Sequence, residues 1–165
     1  MQMEISAIDY SSSRHRDAVL TLLNDYALSP EGGAEELSEY TRKNLLSELE
    51  LRSGVKVFLA FNQEEAAGLL IAIEGFSTFA CKPLLNVHDV YVSAGNRTQG
   101  VARALFEQME SYAQTIGCCK ITLEVLENNR VAREAYQRFG FEAYQLVPEM
   151  GKALFWQKNI CNNET

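Results

Sequence analysis

Arg97, Gly100 and Ala102 stand in the hexapeptide R-T-Q-G-V-A, directly after the apolar stretch 87–92 and the polar turn 93–96, and directly before a helical pattern. A strand that runs through a turn into a helix start leaves backbone N–H groups unpaired and pointing one way. The positive end of the helix dipole lies behind them, and together they make an anion site. Gly100 and Ala102 are small where a bulky anion such as a pyrophosphate needs the backbone close. Within the strand, His88 and Asp89 are adjacent titratable groups, expected on opposite faces because the side-chain period is two. A neutral imidazole titrates near about 6.5 and could take a proton, or could equally be hydrogen-bonded within the sheet. Asp89 is the alternative base, or a structural carboxylate paired with a backbone group or a cation.

These groups need elements to hold them. Residues 4–9 alternate polar and apolar and read as a strand. Serines 11–13 offer an N-cap to a helix over about 14–26, where Val19, Leu22, Leu23 and Tyr26 recur at helical spacing. Pro30, Gly32 and Gly33 turn the chain before a second helix over about 35–52, with Leu37, Tyr40, Leu45 and Leu49 near one side. Residues 55–61 and 66–76 read as strands, and the short link 62–65 makes them an antiparallel hairpin.

After the strand at 87–92, a helix over about 98–116 carries the stripe Val101, Leu105, Met109, Tyr112 and Ile116, with Gly117 as its C-cap. Residues 120–126 are β-branched at alternate positions, and Ala132, Ala135, Tyr136 and Phe139 mark a helix ended by Gly140. Two closing strands are expected at about 141–146 and 154–158. The order β-α-α-β-β-β-α-β-α-β-β predicts an α/β fold, a mixed and mostly antiparallel sheet with helices on both faces. The unit 87–126 should be a right-handed parallel crossover. One domain is expected over residues 1–160, with a short polar tail at 161–165.

At 165 residues the chain can bury roughly two thirds of its unfolded surface and so build its own core. A net charge of -7 argues against a nucleic-acid partner. It suits a cationic substrate, or simply solubility. The longest apolar run, centred on 69–73, is far short of the roughly 20 residues that cross a bilayer, so no membrane span is expected. The N-terminal residues lack a basic start followed by an apolar core, and the reading is a cytoplasmic protein. Cys81, Cys118, Cys119 and Cys161 have no C-x-x-C spacing, so free thiols, no disulfide and no metal are expected.

With both motifs in view, the sequence resembles the GCN5-related N-acetyltransferase (GNAT) superfamily, most closely its diamine and thialysine branch. The family's acetyl-CoA motif, Q/R-x-x-G-x-G/A after a hydrophobic strand, is filled by Arg97, Gly100 and Ala102. Its second motif, N-x-x-A-x-x-x-Y-x-x-x-G-F, is filled by Asn129, Ala132, Tyr136, Gly140 and Phe141. The branch has acidic residues at both strand positions where this chain has His88 and Asp89, so His88 is a departure.

The resemblance implies acetyl-CoA as co-substrate and a primary amine of a small molecule as acceptor: a polyamine, a diamine or an amino-acid-like amine. It implies a strand pair that splays beyond a bulge, with the pantetheine arm bonded along Val90, Tyr91 and Val92. It places the pyrophosphate on N–H groups of Thr98, Gln99, Gly100, Val101, Ala102 and Arg103. Asn129 and Ala132 would flank the arm, and Tyr136 would be the general acid near the sulfur. Arg97 could neutralise phosphate or shape the turn.

Chemically, an ammonium with a pKa of about 10.4 must lose its proton before attacking a thioester, and the leaving thiolate departs more easily if protonated. No serine or cysteine nucleophile is needed. Acceptor recognition is expected in the first two helices with their loop and in the segment 74–86. Tyr26, Phe76, Phe79 and Asn86 are the named candidates there, and Asp25, Glu31, Glu35 and Glu36 lie near the loop. Carboxylates beside aromatics suit a small cation. Solvated helix faces and core phenylalanines are the plainer alternative. A protein N-terminus or lysine is the alternative acceptor, and a non-catalytic acyl-CoA-binding domain is the alternative class. Phe155 and Trp156 are open to two readings, a homodimer contact or the core.

Overall fold

The computed structural model describes residues 3–145, 147, 149 and 151–160. Its strands are β1 (Met3–Ala7), β2 (Val55–Asn62), β3 (Glu65–Ser77), β4 (Lys82–Val92) and β5 (Ile121–Leu123). Its helices are α1 (Ser13–Leu28), α2 (Glu39–Leu51), α3 (Val101–Thr115) and α4 (Arg130–Arg138). The strands form one sheet in the order β1-β2-β3-β4-β5, antiparallel throughout except for the parallel pair β4 and β5. The chain divides into two compact units, Met1–Leu123 with the sheet and α1 to α3, and Glu124–Thr165 with α4.

The sheet's alternation builds a layer on each face. Val57, Leu59, Phe61, Leu69 and Ile71 pack against Ala18, Val19, Leu22 and Leu23 of α1. The intervening residues Phe58, Ala60, Leu70 and Ala72 are equally buried and face α3. On α3, Val101, Leu105, Phe106, Met109 and Ala113 form the apolar side, and Tyr112 meets Phe58 with ring centroids 6.0 Å apart. Each fully buried Leu or Phe contributes about 1.5–3 kcal/mol. The helix starts follow local chemistry: Ser12 Oγ accepts from the His15 N–H, and Ser38 Oγ from the Thr41 N–H. No helix among the described residues is long and apolar enough to cross a membrane.

Several expected boundaries move. α2 begins at Glu39, where Ser38 caps it, and Tyr40 is 75% exposed while Leu37, Leu45, Leu46 and Leu49 pack on the α1-side core. α3 begins at Val101, because Thr98 (φ 63°) and Gly100 (φ 83°) are left-handed and cannot join a right-handed helix. β5 is confined to Ile121–Leu123, the length over which it pairs with β4.

The closing strands expected at 141–146 and 154–158 do not form among the described residues; Leu146 lies outside them. Alternation specifies a strand only where one face is buried, and Leu154, Phe155 and Trp156 are 75%, 76% and 83% exposed. The core alternative for Phe155 and Trp156 falls with that strand. Of the cysteines, Cys81, Cys118 and Cys119 are free thiols, and Cys161 lies outside the described residues.

Candidate active site

β4 carries a bulge at the residues that matter most. Val87 lies opposite Ala72 of β3 and Asp89 opposite Ile71, so His88 is the extra residue with no partner of its own. Directly opposed residues share a face. Val87 therefore joins Ala72 on the α3 side, while Asp89 joins Ile71 on the α1 side. Strict alternation is therefore broken between Val87 and Asp89. His88 is exposed and Asp89 half-buried.

Past the bulge, β4 loses one neighbour. Its parallel pairing with β5 runs from Leu85 opposite Ile121 to Val87 opposite Leu123 and stops there, while β4 continues to Val92 against β3. Ser93 N–H donates to the Ala67 carbonyl at 3.0 Å, so Ser93, Tyr91 and Asp89 exchange backbone hydrogen bonds with β3. The intervening Val90 and Val92 turn their N–H and C=O groups to the other edge. Arg97 Nε donates to the Val92 carbonyl at 3.3 Å from that side. An extended chain with its own amides could add to this edge as a short strand.

On the α1 side, Tyr26 stacks on Tyr91 with centroids 5.8 Å apart. The Tyr26 phenol is pushed up by burial first, then by the negative fields of Asp89 and Glu31. Burial also raises the Asp89 carboxyl, opposed more weakly by His88. Among the described residues the Asp89 carboxylate has no hydrogen-bond or ion-pair partner. A half-buried carboxylate next to two aromatic faces could attract a cation by charge and by cation-π contact.

The loop between β4 and α3 opens with a short 3-10 turn at Ala94–Asn96. Gln99 Nε2 donates to the Gly95 carbonyl at 2.8 Å, and Thr98 Oγ1 to the Arg97 carbonyl at 2.6 Å. Thr98 at φ 63° is an uncommon conformation for a β-branched residue, and such strain persists where the surroundings fix it. At Gly100 (φ 83°), the N-cap of α3, no side chain caps the helix, so the N–H groups of Val101, Ala102 and Arg103 stay available. The Arg103 side chain points away to Glu107, its Nε 2.7 Å from Oε1. Asn96, the residue before Arg97, is 3% exposed and bonded to Asn62 and Ser93.

In the second unit the other motif folds locally. Asn129 Oδ1 accepts from the Ala132 N–H at 3.1 Å and caps α4. Gly140 (φ 90°) ends it: its N–H donates to the Gln137 carbonyl and the Phe141 N–H to the Tyr136 carbonyl, each at 3.0 Å. That is a Schellman closure, completed by the edge contact of the Tyr136 and Phe141 rings at 6.0 Å.

The structure thus brings together Tyr26, Asp89 and Tyr91. It does not bring Phe76 or Phe79 to them. Phe76 pairs with Pro83 at the far end of the β3–β4 hairpin, about seven residues from the Leu69–Tyr91 pair, roughly 20 Å along the strand. Both phenylalanines are exposed, Phe79 completely, so neither is core. Asn86 Nδ2 donates to Thr122 Oγ1 at 3.1 Å, a bond between β4 and β5. The resemblance places Tyr91 along the donor arm, and its ring stacks on Tyr26 of α1. The Asn62–Ser93–Asn96 cluster was missed, and the three-residue spacing of Ser93 and Asn96 in a polar turn was its only signal.

The sequence model described as "Acetyltransferase (GNAT) family" matches residues 17–141. A thialysine N-epsilon-acetyltransferase of Caenorhabditis elegans is 27% identical over 127 residues, 72% of this chain and 78% of that protein. A streptothricin acetyltransferase of Streptomyces lavendulae is 33% identical over 76 residues, 46% of this chain and 40% of that protein, so the chain spans less than half of this relative's length. In fold, the chain is similar to AAC(6')-Iy, solved with the bisubstrate analogue CoA-S-monomethyl-acetylneamine. The TM-score is 0.74 at 18% identity, over 96% of this chain and 99% of that one.

Proposed function

The chain belongs to the acetyltransferase (GNAT) family, and on that premise we propose that it transfers the acetyl group of acetyl-CoA directly to a primary amine of a small molecule. The acceptor is a polyamine, a diamine or an amino-acid-like amine. The observation that carries this reading is the half-buried Asp89 carboxylate, without a hydrogen-bond or ion-pair partner among the described residues, beside the Tyr26–Tyr91 stack and on the part of β4 that continues past the end of its pairing with β5 at Val87. The relatives named for thialysine and streptothricin support a small amine as acceptor.

Each part of the site then has work to do. The open edge of Val90 and Val92 bonds the pantetheine arm as an added strand. The uncapped N–H groups at the start of α3 hold the pyrophosphate, with Arg97 beside them. Tyr26 and Tyr91 hold the ammonium by cation-π contact, and Asp89 balances its charge. A carboxyl raised by burial is closer to the operating pH, which suits Asp89 to take the amine's proton, directly or through water. His88, exposed at the bulge, is an alternative acceptor of that proton. By its motif position, Tyr136 protonates the departing thiolate, and Asn129 caps the helix that carries it.

No group in this scheme becomes acylated, so both substrates must be bound together. Initial rates of thiol release with acetyl-CoA and amine both varied should give intersecting reciprocal plots. Parallel lines, the signature of an acyl-enzyme, would overturn the direct mechanism.

A further inference from the structure

Asn96 is the one polar side chain fully buried among the described residues, and it stands immediately before the loop assigned to the pyrophosphate. Its Oδ1 accepts from Asn62 Nδ2 at 3.1 Å, at the end of β2. Its Nδ2 donates to Ser93 Oγ at 3.0 Å, and Ser93 passes two bonds on to the Ala67 carbonyl of β3, from its Oγ at 3.2 Å and its N–H at 3.0 Å. The Asn96 N–H also donates to the Ser93 carbonyl at 2.9 Å.

The far end of the loop is fixed on the next residue of the same strand. α3 lies so close to Gly68 that a Cβ there would meet Val101 Cγ1 at 2.8 Å. Ala67 thus anchors the entry to the loop through Ser93 and Asn96, and Gly68 anchors its exit through Val101. Between these anchors run Arg97 to Gly100, with Thr98 and Gly100 in the left-handed region and exposed. A strained, exposed segment keeps one conformation only when its ends are over-determined.

We infer that Asn96 is a positioning residue: without touching the donor, it sets the direction of the loop N–H groups and so the affinity for the pyrophosphate-bearing part of acetyl-CoA. The inference rests on the proposed acetyl-CoA reading. Removing either amide leaves the polar atom it bonded unsatisfied, a loss worth roughly tenfold in affinity when it shifts the loop.

The test compares two donors in the full chain: acetyl-CoA, and S-acetylpantetheine, which has the same thioester arm and no pyrophosphate. Asn96→Ala should raise KM for acetyl-CoA roughly tenfold with kcat nearly unchanged, and should leave kcat/KM for S-acetylpantetheine as in the wild type. Asn62→Ala, a milder change at a half-buried position, should show the same pattern. The double variant should be no worse than Asn96→Ala alone, since both act through one chain of bonds. Equal losses with both donors would make Asn96 merely structural, and no loss with either would remove it. A wild type that uses the two donors equally well would overturn the pyrophosphate assignment itself, and the inference with it.

Discussion

Asp89 is a carboxylate held against its own solvation, with burial raising its pKa and His88 opposing the shift. A carboxyl whose folded pKa exceeds its unfolded value of about 3.9 favours the fold only while protonated. That contribution is complete below the unfolded value and is lost as pH rises through the folded one. At neutral pH the ionised group therefore costs stability. Asp89→Asn should melt at a higher temperature than the wild type at pH 7, with the difference shrinking as pH falls toward about 4. The same variant should turn over roughly 10²–10⁴-fold more slowly, which initial rates will measure. Tyr136→Phe keeps its ring on Phe141 and should retain acetyl-CoA affinity, while turnover falls by roughly 10²-fold or more, which initial rates will measure. Unchanged turnover would remove the phenol from the chemistry. The motif residues were legible in the sequence because their spacing reflects local roles, as in the Asn129 cap and the Gly140 closure. The setting of His88 and Asp89 was not legible, because a bulge is a property of register against the partner strand, which alternation within one strand cannot reveal.

At the level of elements, α3 is seated by an absence. A methyl group at Gly68 would lie 2.8 Å from Val101 Cγ1, 3.2 Å from Leu105 Cδ1 and 3.0 Å from the Tyr91 carbonyl, so helix and strand both resist it. Gly68→Ala should destabilise the fold by about 1–3 kcal/mol, read as a shift in denaturant midpoint. By lifting the first turn of α3 it should also weaken acetyl-CoA binding more than amine binding. Equal effects on the two KM values would argue that α3 does not hold the donor. Helical and strand periods revealed the centres of the elements well. Their ends depended on tertiary facts: left-handed Thr98 and Gly100 delay α3, and β5 lasts only as long as its pairing with β4. The closing segment carries an alternating pattern with no face to bury, so pattern alone over-predicted strands there.

Across the whole molecule, element order was enough to give an α/β sheet with helices on both faces, because each amphipathic stretch admits few partners. Distances between loops were not readable in the same way. Phe76 and Phe79 lie at one end of a long hairpin and Tyr26 near the other, so the phenylalanines are far from the Tyr26–Tyr91 stack. A net charge of -7 suits a cationic acceptor but names none. The most direct measurement is thiol release from acetyl-CoA by the full chain across a panel of diamines, polyamines, amino-acid-like amines and lysine-bearing peptides. Small cationic amines should release CoA rapidly and the peptides poorly, with an N-acetylated small amine as product. Tight acetyl-CoA binding with no release for any amine, or a clear preference for the peptides, would contradict the account.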